Sequence, residues 1–173
     1  MDQNANMTQN LANTFVEKAI NHIVYDIYAK RAALEGYEYI KDIYHELSEN
    51  ERHNARTFYD RLSEEAEGGE LPRSGEYAVT VTQNDTLGNL AASIKRCESC
   101  CSGALPQYYQ TAQQEGFADV AALYKVTLDN EQNNLRFFEA LYNQLQTNKI
   151  YKSEHAAEWK CSKCGEVHRV NGD

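Results

Sequence analysis

The chain has 173 residues, enough for one ordinary domain and a small appendage but not for two full cores. With 42% hydrophobic residues, 25% charged residues and only two prolines, it has the composition of a folding chain rather than a disordered or collagen-like one. A net charge of −9, with no cluster of Lys or Arg, argues against DNA, RNA or an anionic membrane as a main partner. No run approaches the ~18 apolar residues of a membrane span, and the opening MDQNANMTQN lacks the basic and hydrophobic regions of a secretory signal, so a cytoplasmic address is expected.

In chain order, a 4,3 spacing first selects Leu11, Phe15, Lys18, His22, Tyr25, Ala29 and Ala32, the seam of one helix. That helix ends at Glu35-Gly36, since glycine just past a helical run is the usual terminator. A second helix carries Ile40, Tyr44, Leu47, Glu51, Asn54 and Phe58. Residues 67–86, rich in Gly and Ser, read as a crossover, and the β-prone stretch Tyr77 to Thr82 within it as extended loop. A third helix carries Leu90, Ile94, Cys97 and Cys100 or Cys101, and a fourth Val120, Tyr124, Thr127, Glu131, Asn134, Phe138, Leu141 and Leu145. The expected architecture is all-α: two antiparallel hairpins forming a four-helix bundle over residues 1–150, followed by a short segment at 151–173.

The two hairpins, residues 8–66 and 87–148, are an internal repeat. Asn10-Leu11-Ala12 recurs as Asn89-Leu90-Ala91, 79 residues later; Tyr28, Glu35-Gly36, Tyr44, Glu51, Asn54 and Phe58 recur 80 later as Tyr108, Glu115-Gly116, Tyr124, Glu131, Asn134 and Phe138. The second copy therefore holds one extra residue between Ala91 and Tyr108, expected as a π-bulge near Gly103 and Pro106.

Polar residues interrupt the seams at one level. Lys18 lies 18 residues before Gly36, Cys97 19 before Gly116, and Glu51 and Glu131 each 15 after their glycine. At ~1.5 Å per residue all stand roughly 22–28 Å from the turns, so antiparallel hairpins bring them together. Unpaired, such groups would cost several kcal/mol each; they require one another, a metal or water.

Five cysteines, as CESCC (Cys97, Cys100, Cys101) and CSKCG (Cys161, Cys164), do not form the even, dispersed framework of a secreted disulfide scaffold. Metal or redox chemistry suits them better. A thiol role for the first cluster requires a depressed pKa, with Lys18 or Lys95 as the charge that lowers it.

The EGY and EGF turns, the repeated Asn-Leu starts, the crossover and Trp159-Lys160-Cys161-Ser162-Lys163-Cys164-Gly165-Glu166-Val167-His168 together resemble the rubrerythrin family over about residues 8–150 and the following knuckle. The resemblance implies a ferritin-like bundle with a C-terminal rubredoxin-like module, non-haem di-iron peroxide reduction, oxidative-stress defence, a homodimer and an electron-donor protein. It also implies iron held by a Glu on the first helix, two on the third, and E-x-x-H on the second and fourth. Residue by residue, those positions hold Lys18 (with Glu17 beside it), Cys97 and Cys100, then Glu51 with Asn54 and Glu131 with Asn134; a supporting tyrosine is kept as Tyr25.

Three arrangements follow for the bundle centre. Lys18 lies between Glu51 and Glu131 as a buried ion-pair layer; or Cys97, Cys100, Glu51 and Glu131 form a rebuilt site better suited to zinc than iron; or Glu17, Glu98, His22 or His53 substitutes and iron still binds. For function, an inactive family member on a kept scaffold stands beside an active metal peroxidase and a cysteine-based metal-binding or redox-sensing module. At the C-terminus, Cys161 and Cys164 are candidate ligands for zinc or iron. Their partners are a second knuckle beyond a truncated end, His168 or His155, or the same pair on another chain.

Overall fold

The computed structural model describes residues 3–65, 85–151, 157–160 and 166–170. Helices α1 (Gln3–Leu34) and α2 (Glu38–Glu65) form the first hairpin. The second consists of α3 (Thr86–Ser102), α4 (Ala104–Gln114) and α5 (Ala118–Gln146). Both turns are built alike. Gly36 and Gly116 take φ of 85° and 84°, a region that glycine enters without steric cost. Tyr37 N–H then donates to Ala32 O, and Phe117 N–H to Ala112 O, each at 2.9 Å, which closes the last turn of the preceding helix.

Asp85 caps α3, its Oδ1 accepting from Gly88 N–H at 2.8 Å. The Thr86 N–H donates to Glu35 Oε2 at 2.8 Å, so α3 begins at the end of the bundle where α1 finishes. The expected crossover lies outside the described residues, except for Asp85 and Thr86, which belong to the cap and first turn of α3.

One expectation needs correction. In place of a π-bulge, the third helix breaks in two at Gly103, whose φ of −107° and ψ of −110° leave the helical region. A Cβ there would sit 2.6 Å from Ser99 O, so the backbone comes too close for any side chain. Pro106 follows in the first turn of α4, where a missing N–H leaves no hydrogen bond unmade. The break absorbs the extra residue without helical widening.

The core divides into two apolar clusters with a polar layer between them. One gathers Tyr25, Tyr44, Leu47, Leu90, Cys97 and Phe138; the other gathers Leu11, Phe58, Cys100, Leu105, Val120 and Tyr124. On every long helix the layer residue sits between members of the two: Lys18 between Leu11 and Tyr25, Glu51 between Leu47 and Phe58, Glu131 between Tyr124 and Phe138. Aromatic contacts seal each side, with Tyr25 and Tyr44 both 5.8 Å from Phe138, and Phe58 5.4 Å from Tyr124.

Beyond the bundle, β1 (Ala157–Lys160) and β2 (Val167–Val170) pair antiparallel, with Trp159 opposite His168. These strands, which the sequence reading did not anticipate, flank the segment holding Cys161 and Cys164. The two cysteines and His155 lie outside the described residues. No helix among the described residues is long and apolar enough to cross a membrane.

Candidate functional site

The polar layer is assembled from four helices. Lys18 on α1, with 1% of its surface exposed, places its Nζ 3.1 Å from Glu51 Oε1 and also donates to Glu131 Oε1. Both carboxylates are 3% exposed. One ammonium thus pairs with a carboxylate from each half of the repeat. Burial alone would lower the lysine's pKa; the charges of Glu51 and Glu131 outweigh it, and the net effect is a raised value that keeps the ammonium protonated. Burial pushes Glu51 upward from the usual carboxylate range, with Lys18 opposing it.

Around this pair, two amides supply further donors to Glu51. Asn21 Nδ2 donates to Glu51 Oε2 at 3.0 Å, and Asn54 Nδ2 reaches Glu51 Oε1 at 3.4 Å. Arg96 on α3 donates to Asn21 Oδ1 at 2.7 Å while its guanidinium lies 5.9 Å from the centre of the Tyr25 ring. The amide of Asn21 therefore presents its oxygen to a cation and its nitrogen to an anion. An unbroken chain runs from Arg96 through Asn21, Glu51 and Lys18 to Glu131, with two cationic and two acidic side chains. Such a balanced, hydrogen-bonded set can be buried without an external counter-ion.

The thiols feel different carboxylates. Cys97 is influenced by Glu131, and Cys100 donates to Glu17 Oε1 at 2.7 Å. Burial first, then these acidic neighbours, push both thiols well above their ordinary pKa, against a smaller opposing effect of Lys18. Half-buried Cys101 is also raised. The lowered thiol pKa that a reactive cysteine requires is therefore the reverse of what this environment produces, and Lys95 is exposed on α3.

Of the other sequence candidates, Tyr25 is fully buried beside the layer, and Asn134 is half-buried one turn after Glu131. His22 is displaced from its expected seam position: it is half-buried, with Nδ1 3.0 Å from Ser48 O and 2.8 Å from Ser48 Oγ. Asn21 takes the place expected of it, and Thr14 that expected of Phe15, which packs against Tyr59. His53 and Glu98 face solvent, as does His45, 3.7 Å from Asp26. Asn21 and Arg96 lie outside the seam that the sequence spacing selects, although Lys18, Asn21 and Tyr25 follow a 3,4 spacing that also puts Asn21 on the buried face. Among the described residues no three His, Cys, Asp or Glu side chains are grouped as a metal-ligand set.

The sequence profile of the rubrerythrin family matches residues 10–142. The chain belongs to the rubrerythrin family. Rubrerythrin-1 of Clostridium acetobutylicum is 31% identical over 159 residues, which cover 92% of this chain and 81% of the relative. The rubrerythrin of Clostridium perfringens is 29% identical over 157 residues, covering 91% and 80%. A solved structure of nigerythrin in its fully reduced, all-ferrous state superposes with a TM-score of 0.70 at 20% identity, over 94% of this chain and 76% of that one, a likeness of fold. Rubrerythrins are di-iron proteins, and most of both hairpins and both E-x-x-N segments of this chain fall inside the matched region.

Proposed function

We propose that this chain is a rubrerythrin-family scaffold in which the ion-pair layer takes the place of the metal pair, so that the bundle does not carry out di-iron peroxide reduction. The donor chemistry supports this. A di-iron centre requires several carboxylates and imidazoles; here two carboxylates already share one ammonium, and the neighbouring donors are amides and protonated thiols. The observation that carries the proposal is Lys18 Nζ between Glu51 and Glu131, because a fixed positive charge there repels any cation brought to the same oxygens.

A second reading concerns the C-terminus. The paired strands β1 and β2 bring Trp159 opposite His168 on either side of Cys161 and Cys164, a frame suited to a zinc or iron knuckle. Metal chemistry would then reside in that segment rather than in the bundle.

Metal analysis separates the two. After exposure to ferrous iron and zinc, the full chain with Cys161→Ser and Cys164→Ser should hold no metal and show no ferric-oxo absorption band. About two irons per chain in that variant, with peroxide turnover, would overturn the proposal. Lys18→Glu, made in the same background, should raise metal uptake; unchanged content would show that the lysine is not what keeps cations out.

A further inference from the structure

Three donor side chains line the groove between α1 and α2 on the side away from the polar layer. His22 and Asp26 stand four residues apart on α1 and so share one face of it, while His45 lies on α2. Counted from Gly36, Asp26 is ten residues before and His45 nine after, so the antiparallel helices bring them level. His45 Nδ1 lies 3.7 Å from Asp26 Oδ1. That is too long for a hydrogen bond, yet close to the ~3.4 Å that separates two ligands of one tetrahedral zinc ion, each bound at ~2.1 Å.

His22 is oriented by α2. Ser48 Oγ donates to His22 O at 2.9 Å, which commits the one proton of that hydroxyl. The contacts of His22 Nδ1, 3.0 Å to Ser48 O and 2.8 Å to Ser48 Oγ, are then made with Nδ1 as the donor. In a neutral ring this leaves the lone pair on Nε2, at the edge turned away from Ser48. An imidazole held through Nδ1–H on a backbone carbonyl is the arrangement by which proteins aim a metal-ligating Nε2.

The surrounding charges suit a dication. Two neutral imidazoles and Asp26 bring one negative charge, and Glu49 is hydrogen-bonded to Arg52 at 3.0 Å, so that this pair cancels. The Arg52 hydrogen bond, and after it the charges of Arg52, His22 and His45, hold the Glu49 carboxyl below its usual range, which sets both rings within its electrostatic reach. As they stand, the three donors do not enclose a common point. Asp26 and His45 expose 61% and 54% of their side chains, so their rotation towards His22 disturbs no core packing. The repeat shows that the fold does not demand these residues: at the positions of His45 and Glu49 the second hairpin holds Lys125 and Asp129, a simple ion pair at 2.5 Å.

We propose that His22, Asp26 and His45 bind a zinc ion in this outer groove of the first hairpin, with water in the fourth position. The site is independent of the ion-pair layer and of the C-terminal cysteines. Zinc held by three side chains, two of them exposed, exchanges with buffer and is stripped by gel filtration, so it is read at equilibrium and does not add to retained metal.

Calorimetric titration of zinc chloride into the full chain carrying Cys161→Ser and Cys164→Ser tests it. One saturable site per chain is expected. His45→Ala and Asp26→Asn, both at exposed positions, should each weaken binding by about tenfold or more with unchanged helical circular dichroism. Ser48→Ala should weaken it about tenfold, because Ser48 positions His22 without touching the ion. His53→Ala, two turns farther along α2, should leave the affinity as it was. The ring resonances of His22 and His45 should shift together in NMR and saturate at one zinc per chain. Absence of saturable binding, undiminished affinity in His45→Ala or Asp26→Asn, or an equal loss in His53→Ala would overturn the proposal.

Discussion

Glu51 and Glu131 stand 80 positions apart in the sequence, occupy equivalent places in the two hairpins, and hold the same ammonium group. The duplication that brought two carboxylates to one level is thereby satisfied by a single lysine from one half. The counterpart position on α3 is Cys97, a thiol that burial and Glu131 keep protonated and that therefore adds no charge.

Lys18→Met should cost about 3–5 kcal/mol at neutral pH, because it leaves two buried carboxylates facing each other without a cation. The penalty should shrink on acidification, as one carboxyl takes up a proton, and this is measurable by urea unfolding at several pH values. On the alkaline side the sign is set by the raised pKa of Lys18: its contribution is fully present below the unfolded value near 10.5 and is lost as pH rises through the folded one. The difference between wild type and variant should therefore be flat from neutral pH up to about pH 10 and fall above it. A difference that already declines between pH 7 and 9 would mean that the ammonium is not held as described.

Asn21→Leu should destabilise the fold by about 1–3 kcal/mol, since it strips a donor from Glu51 and an acceptor from Arg96 at a buried position. Combined with Arg96→Leu, the loss should be smaller than the sum of the two single losses, because the two residues act through one chain of hydrogen bonds. Additive losses in that double-mutant cycle would separate Arg96 from the layer.

Cysteine alkylation at neutral pH, followed peptide by peptide, should mark Cys101 well ahead of Cys97 and Cys100. Cys101 is half-buried, whereas the other two are enclosed and kept protonated by burial and by Glu131 and Glu17. Rapid modification of Cys100 in the folded protein would contradict the Cys100 to Glu17 contact.

Gly103→Ala should cost more than the ~1 kcal/mol by which alanine usually favours a helix, and in the opposite direction, because its Cβ would meet the Ser99 carbonyl at 2.6 Å. Gln107→Ala, exposed on α4, should change the melting temperature little.

The sequence carried the level of the layer well, because the rise of a helix is constant and both glycine turns offer a ruler: Lys18, Glu51, Cys97 and Glu131 could be placed by counting. It carried the rotation of α1 less well. A large ring at Phe15 and another at His22 drew the seam one residue away from Thr14 and Asn21, whose burial depends on hydrogen-bond partners from other helices. Arg96 was hidden for a different reason. It is half-buried and enters the layer by the reach of its side chain, which spacing along a helix does not encode. Strands β1 and β2 have four residues each, too short for an alternating pattern to stand out.

The bond from Thr86 to Glu35 ties the two copies of the repeat at one end. Glu35 belongs to the turn that closes the first hairpin, and its carboxylate satisfies a backbone N–H in the opening turn of α3 that no helical carbonyl can reach. Glu35→Ala would therefore unmoor the start of the second hairpin from the end of α1, across a separation of 51 positions.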